Sequence, residues 1–180
     1  VVFVLNRYFR SMGEAIEQAG GRVDKFIGDG IMALFGVDAN ARDGATTALN
    51  AAQGMAEKLD ELNELLKADL PAPLRIGIGI HSGPAIVGEM GYGPAISVTA
   101  IGDTVNTSSR LEAKTKDFGA QLIVSQHVAD LAGLDETTLQ HEEIEVRGRK
   151  EPMRILVLDD AKQLKDLARS ATRVTEEIVT

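Results

Sequence analysis

Apolar positions recur along this chain at two periods, and the switches between them outline its elements. Val1, Val4, Leu5, Tyr8, Phe9, Met12 and Ile16 are spaced by three and four, which predicts an amphipathic helix stopped by Gly20-Gly21. Residues 22–28 and 31–35 are short apolar runs around Asp29-Gly30, and they read as a hairpin. Asp-Gly between two such runs predicts a type I′ turn, with positive φ at both central positions. From Asp43 to about Lys67 the helical period returns, with Ala45, Leu49, Ala52, Ala56, Leu59 and Leu66 on one face.

"LRIGIGIHSGPAIVGEMG" then gives two β-rich runs broken at Ser82-Gly83-Pro84. In the first run Ile76, Ile78 and Ile80 alternate with Gly77 and Gly79, so one strand face has no side chains and another element is expected close against it. Residues 93–102 read as a loop and short strand, and Asp103 or Thr104 as the cap of a helix running to about Phe118. "AQLIVS" is a buried strand, "HVADLAG" a short helix, and "QHEEIEVRGRKEPMRILVL" two strands around an Arg-Gly-Arg-Lys turn. The mixture predicts an α+β fold: one mainly antiparallel sheet with flanking helices. Residues 159–180 are polar and weakly helical and read as a tail or linker.

Composition narrows the function. With 180 residues, 44% of them apolar, the chain suits one domain with a proper core. No cysteine means no disulfide, zinc–thiolate, iron–sulfur or thiol-nucleophile chemistry. A net charge of −8 argues against a nucleic-acid surface, because phosphate backbones are bound by clustered Lys and Arg. An anionic substrate therefore needs a local pocket of basic groups. There is no run of about 18 apolar residues to span a membrane. The opening "VVFVLNRYFRSM" has neither a starting Met nor a basic leader, and reads as an excerpt.

The three histidines have no ligand spacing, there is no GxxxxGK[ST] phosphate loop, and "GIGIHSG" lacks the following helix of a dinucleotide fingerprint. "TAIGDTVNTSSRLEAK" says more. Asn106 and Arg110 are four apart and share a helix face near a positive N-terminus. Positions 106, 107, 113 and 114 hold no acid, so the Arg110 guanidinium suits an anionic oxygen from elsewhere. Asp29 reads either as half of a turn or as a metal ligand.

Three linked stretches, "GRVDKFIGDGIMALFG", "RIGIGIHSGPAIVGEMG" and "AIGDTVNTSSRLEA", resemble in order and spacing the catalytic domain of class III nucleotidyl cyclases, most like the bacterial adenylyl enzymes. The resemblance covers about residues 3–158, so the domain is read as 1–158. It implies cyclisation of a nucleoside triphosphate to the 3′,5′-cyclic monophosphate with release of pyrophosphate, in a head-to-tail homodimer with sites between subunits. Asp29 matches one of two metal aspartates, and the implied cofactors are two Mg²⁺ or Mn²⁺ ions, which such chemistry holds about 3.5–4 Å apart. Turn and ligand are then one feature, because a hairpin tip projects its carboxylate.

Lys25 and Thr99 match the positions that read the base. An ammonium and a hydroxyl suit adenine, with its N1 acceptor and 6-amino donor, and guanylyl cyclases resemble this with Glu in place of the Lys. ATP is therefore favoured over GTP. Asn106 matches the residue that positions the ribose, and Arg110 the one that stabilises phosphoryl charge in the transition state. The β/γ-phosphate lysine falls at Arg147, where "VRGRK" leaves Arg149 and Lys150 open as well.

One departure stands out. The resemblance implies a second metal aspartate on a strand upstream of the first helix, in a motif like F-x-D-I followed by Phe-Thr, and this chain begins at the helix. A fragment of a longer protein is expected, lacking that strand, one metal ligand and a phosphate-binding loop, with its first helix over a gap in the sheet and little activity alone. Any membrane or regulatory segment is expected upstream, with the catalytic domain cytoplasmic. Two rivals remain: a guanylate cyclase, disfavoured by Lys25, and a cyclase-like module that binds nucleotide or dimerises without catalysis.

Overall fold

The computed structural model describes residues 1–146, 148 and 151–167. Arg147, Arg149 and Lys150, the expected phosphate-binding cluster, lie outside the described residues, as does the tail from residue 168. The elements run α1 (Val2–Gln18), β1 (Arg22–Ile27), β2 (Gly30–Leu34), α2 (Ala41–Leu66), β3 (Ile78–Ile80), β4 (Ile86–Met90), β5 (Ser97–Ile101), α3 (Asp103–Phe118), β6 (Leu122–Ser125), α4 (Gln126–Ala132), β7 (Gln140–Ile144) and β8 (Met153–Leu158). This is the α+β class expected, with one division the pattern did not foresee. The strands form three separate ladders: β3-β6-β8-β7, the β1–β2 hairpin and the β4–β5 hairpin. Among the described residues only the β3–β6 pair is parallel.

The four-stranded sheet holds the core. β6 and β8 are covered on both faces, which is why "LIVS" reads as an unbroken apolar run rather than an alternation. On one face Leu122, Val124 and Leu156 meet Ala45, Leu49 and Ala52 of α2 with Val128 of α4. On the other, Ile123, Ile155 and Val157 pack with Leu111 of α3. The small residues of α2 bring its backbone close to the sheet. Its first turn is closed by Asn40, whose side-chain oxygen accepts from the Asp43 N–H at 2.9 Å.

Packing does not end at residue 158. A 3₁₀ turn, Ala161–Gln163, is capped by Asp160, and Ala161, Leu164 and Leu167 are buried in the same cluster as Leu158. Ala161, Leu164 and Leu167 therefore extend the core, where the sequence reads 159–180 as a tail or linker. Intervening Asp, Lys and Gln dilute the apolar signal.

α1 buries only its second half. Met12, Ala15 and Ile16 are covered, while Val1, Val2 and Phe3 are 97, 72 and 60% exposed. The helix lies against α2, and Phe9 stacks at a tilt on Phe26 of β1 with ring centroids 4.5 Å apart.

Candidate active site

The β1–β2 hairpin turns one residue earlier than the Asp-Gly signal predicts. Ile27 pairs with Gly30, so the two turn residues are Gly28 and Asp29. Gly28 has φ +63°, and among the described residues no non-glycine has positive φ. Gly at the first central position with the second at negative φ is the pattern of a type II′ turn, not the expected I′. The consequence anticipated for Asp29 survives: its side chain stands exposed at the tip. Its charge reaches Tyr8 of α1, whose phenol is pushed above its ordinary pKa by burial, then by Asp29 and Glu112.

Halfway along β1 the register slips between Val23 and Lys25, leaving Asp24 in a bulge. A bulge re-aims side chains that would otherwise alternate between faces. Here it puts the Asp24 carboxylate, with a side chain 0% exposed, beside its neighbour: Lys25 Nζ lies 3.5 Å from Asp24 Oδ2. The same oxygen accepts a 2.5 Å hydrogen bond from Thr99 Oγ1 on β5. Lys25 and Thr99, 74 residues apart and singled out separately, are thus joined through one carboxylate oxygen. Sequence reading missed Asp24. Its only signal is one acid between two basic residues, Arg22 and Lys25, on a short strand.

β5 leads through Gly102 into α3. The expected caps do not cap: the N-cap is Gly102 with φ +140°, Asp103 lies in the first turn, and Thr104 Oγ1 donates instead to the Pro84 carbonyl at 2.6 Å. Further along, α3 seats on the glycine face of β3. A Cβ on Gly79 would stand 2.3 Å from Glu112 N and 2.4 Å from Ser108 O, and Ser108 Oγ donates to the Gly79 carbonyl at 2.9 Å. The close approach read from Gly77 and Gly79 is therefore made by this helix. It fixes Asn106, exposed, and Arg110, half-buried, one turn apart on α3.

Asp29 is the one sequence-predicted metal ligand on the hairpin, and no group of three or more His, Cys, Asp or Glu able to hold a metal exists among the described residues. No helix among them is long and apolar enough to cross a membrane.

Comparisons with known proteins give the family. The family described as the adenylate and guanylate cyclase catalytic domain matches residues 1–159, and the chain belongs to it. Adenylate cyclase of Anabaena cylindrica is 39% identical over 160 residues, covering 84% of this chain and 30% of that protein. Adenylate cyclase 1 of Rhizobium meliloti is 34% identical over 69% of this chain and 19% of its own length, so the chain spans less than a third of these curated relatives. Among solved structures, the guanylyl cyclase Cya2 has a TM-score of 0.77 at 31% identity, covering 87% of this chain and 78% of that one. The adenylyl cyclase CyaB from P. aeruginosa has 0.75 at 28%, covering 88% and 82%. Backbone likeness extends to both nucleotide classes and does not discriminate the base.

Proposed function

We propose that this chain is the catalytic domain of an adenylate cyclase, converting ATP to 3′,5′-cyclic AMP and pyrophosphate in the cytoplasm. The observation that carries the choice of ATP is the Lys25–Asp24–Thr99 cluster, which offers an ammonium donor and a hydroxyl oxygen side by side. The adenine edge presents N1 as acceptor and the 6-amino group as donor, whereas guanine presents the reverse. In the reaction the ribose 3′-oxygen bonds to the α-phosphorus, the bond from that phosphorus to the β-phosphate oxygen breaks, and the 3′-proton passes to solvent. Asn106 orients the ribose. Arg110 meets the charge that grows on the phosphoryl oxygens, where a fixed guanidinium acts more strongly than water. The Arg147 cluster takes the β- and γ-phosphates.

Mg²⁺ or Mn²⁺, in the usual pair, would acidify the nucleophile and neutralise phosphate charge. Asp29 offers one carboxylate to such a pair, which needs a second acid beside it. The acting unit is a homodimer with sites shared between subunits. Supporting this, the two hairpins expose Phe26, Ile27, Ile86, Tyr92, Val98 and Ile101, an apolar surface suited to a second copy.

The test is cyclic-nucleotide formation by the full-length protein with Mg²⁺ or Mn²⁺ and either ATP or GTP. ATP should be strongly preferred, and Lys25→Glu should erode the preference by about 5- to 150-fold, the worth of one buried hydrogen bond. Nucleotide binding without cyclic product would instead identify a non-catalytic module, and equal rates with GTP would refute the base assignment.

A further inference from the structure

We infer that Asp24 is a positioning residue that sets base specificity by fixing which way the Thr99 hydroxyl points. The inference rests on the cyclase reading and on Lys25 and Thr99 as base readers, and adds to it a residue to which the resemblance gives no role.

A threonine hydroxyl is both donor and acceptor, and its proton rotates to suit its partner. Left to itself, Thr99 would offer its oxygen to the adenine 6-amino group or its proton to guanine O6, and would discriminate weakly. Asp24 removes the choice. An ionised carboxylate has only lone pairs, so the 2.5 Å contact commits the Thr99 proton inward to Asp24 Oδ2. What remains to face a ligand is the oxygen's lone pairs, complementary to an amino group and repelled by a carbonyl. Thr99 is 5% exposed, so this is one edge contact at the floor of the site. Lys25, with its side chain 42% exposed, is the outer member of the cluster and contributes the ammonium.

The arrangement is poor as a purely structural device. Asp24 has a fully buried side chain, and its second oxygen, Oδ1, has no hydrogen-bond partner. Its ammonium contact, at 3.5 Å, is longer than a hydrogen bond of ordinary length. Burying a carboxylate half-satisfied is costly, and an apolar residue in the same bulge would avoid the cost. The carboxylate is explained by what it imposes on Thr99.

Asp24→Asn tests this. The amide can turn its NH₂ toward Thr99, which frees the hydroxyl proton to point outward and welcome guanine O6. The experiment measures kcat and KM for ATP and GTP on the full-length protein with Mg²⁺, together with competition of each nucleotide against a fluorescent analogue at equilibrium. Asp24→Asn is expected to lower the ATP:GTP ratio of kcat/KM by roughly tenfold, mainly through the KM for ATP, with the binding ratio moving in parallel. Thr99→Val, equal in shape, should lower the ratio similarly. In the Thr99→Val background Asp24→Asn should change it no further, whereas Thr99→Ser should keep it. A variant that loses ATP and GTP turnover equally, or a full additional effect of Asp24→Asn in the Thr99→Val protein, overturns the role of Asp24 while the base reading stands. If the unaltered protein does not distinguish ATP from GTP and Lys25→Glu changes nothing, the base reading itself fails, and this inference with it.

Discussion

In β6 and β8, Leu122, Ile123, Val124, Ile155 and Leu156 are all 0% exposed, while on the two hairpins Phe26, Ile27, Ile86, Val98 and Ile101 are 42 to 67% exposed. The four-stranded sheet has helices on both faces and buries the apolar side chains of β6 and β8 within the chain. The hairpins belong to other ladders and carry Asp24, Lys25, Asp29 and Thr99. α3 connects the regions: Leu111 sits in the core, and its neighbour Arg110 is in the proposed site. Stability and the proposed chemistry are thus assigned to different parts of the fold, and the part proposed for chemistry leaves apolar side chains exposed.

Substitutions in the two regions should therefore separate. Arg110→Ala is expected to lower kcat by about 10²–10³-fold, roughly 2.7–4 kcal/mol of transition-state stabilisation, with little change in the urea midpoint. Leu156→Ala should do the opposite. A buried leucine deletion costs about 2–5 kcal/mol, visible as a lower midpoint, with near-normal kcat per folded molecule. Steady-state kinetics beside urea unfolding of both variants decides this. If Arg110→Ala unfolds the domain, or Leu156→Ala abolishes kcat in the folded fraction, the division is wrong.

The proposed sharing of sites between subunits is tested by complementation. In a head-to-tail dimer, Asp29 on the hairpin tip and Arg110 on α3 reach one ATP from opposite subunits. Asp29→Ala and Arg110→Ala homodimers should each be nearly inactive. Mixing them makes heterodimers with one doubly damaged site and one intact site. Activity should return to about half the wild-type value per heterodimer, since a two-fold axis generates two equivalent sites. It should rise with protein concentration. A mixture that stays inactive while labelled subunits demonstrably exchange would rule out shared sites.

The same division governs what could be read from the residues beforehand. Core elements announce themselves through bulk pattern: the Ala/Leu face of α2, the unbroken "LIVS" of β6, and the glycines of "RIGIGI" that admit α3. Site details depend on local geometry that pattern does not encode. A bulge at Asp24 leaves no period to read, so the carboxylate linking Lys25 to Thr99 went unseen. Both readers were found only because linked motifs point to them. Ala161, Leu164 and Leu167 escaped because three apolar residues among charges resemble a solvated tail. The three ladders were also beyond reach, since pattern identifies strands better than it identifies partners.

The turn beneath Asp29 gives the smallest effect and the finest check. The Asp-Gly signal makes Gly30 the residue that needs freedom at positive φ, whereas the structure gives that demand to Gly28, at φ +63°. The first position of a II′ turn is a backbone region that L-residues sparsely populate, at about 1–3 kcal/mol, so Gly28→Ala should lower hairpin stability by that amount although no atom lies within 4 Å of the added methyl. Gly30→Ala meets a different obstacle. Its Cβ would stand 3.2 Å from the Ile27 carbonyl oxygen, a contact relieved by a shift of a few tenths of an ångström. It should cost less, under about 1 kcal/mol, because no left-handed conformation is demanded. If the hairpin opens independently of the four-stranded sheet, amide hydrogen exchange will show the Gly28→Ala effect in residues 22–34 and leave β6 and β8 protected as before. Equal losses in both regions would mean that the hairpin and core unfold as one unit. A larger effect of Gly30→Ala than of Gly28→Ala would return the turn, and the aim of the Asp29 carboxylate, to the register the sequence alone predicts.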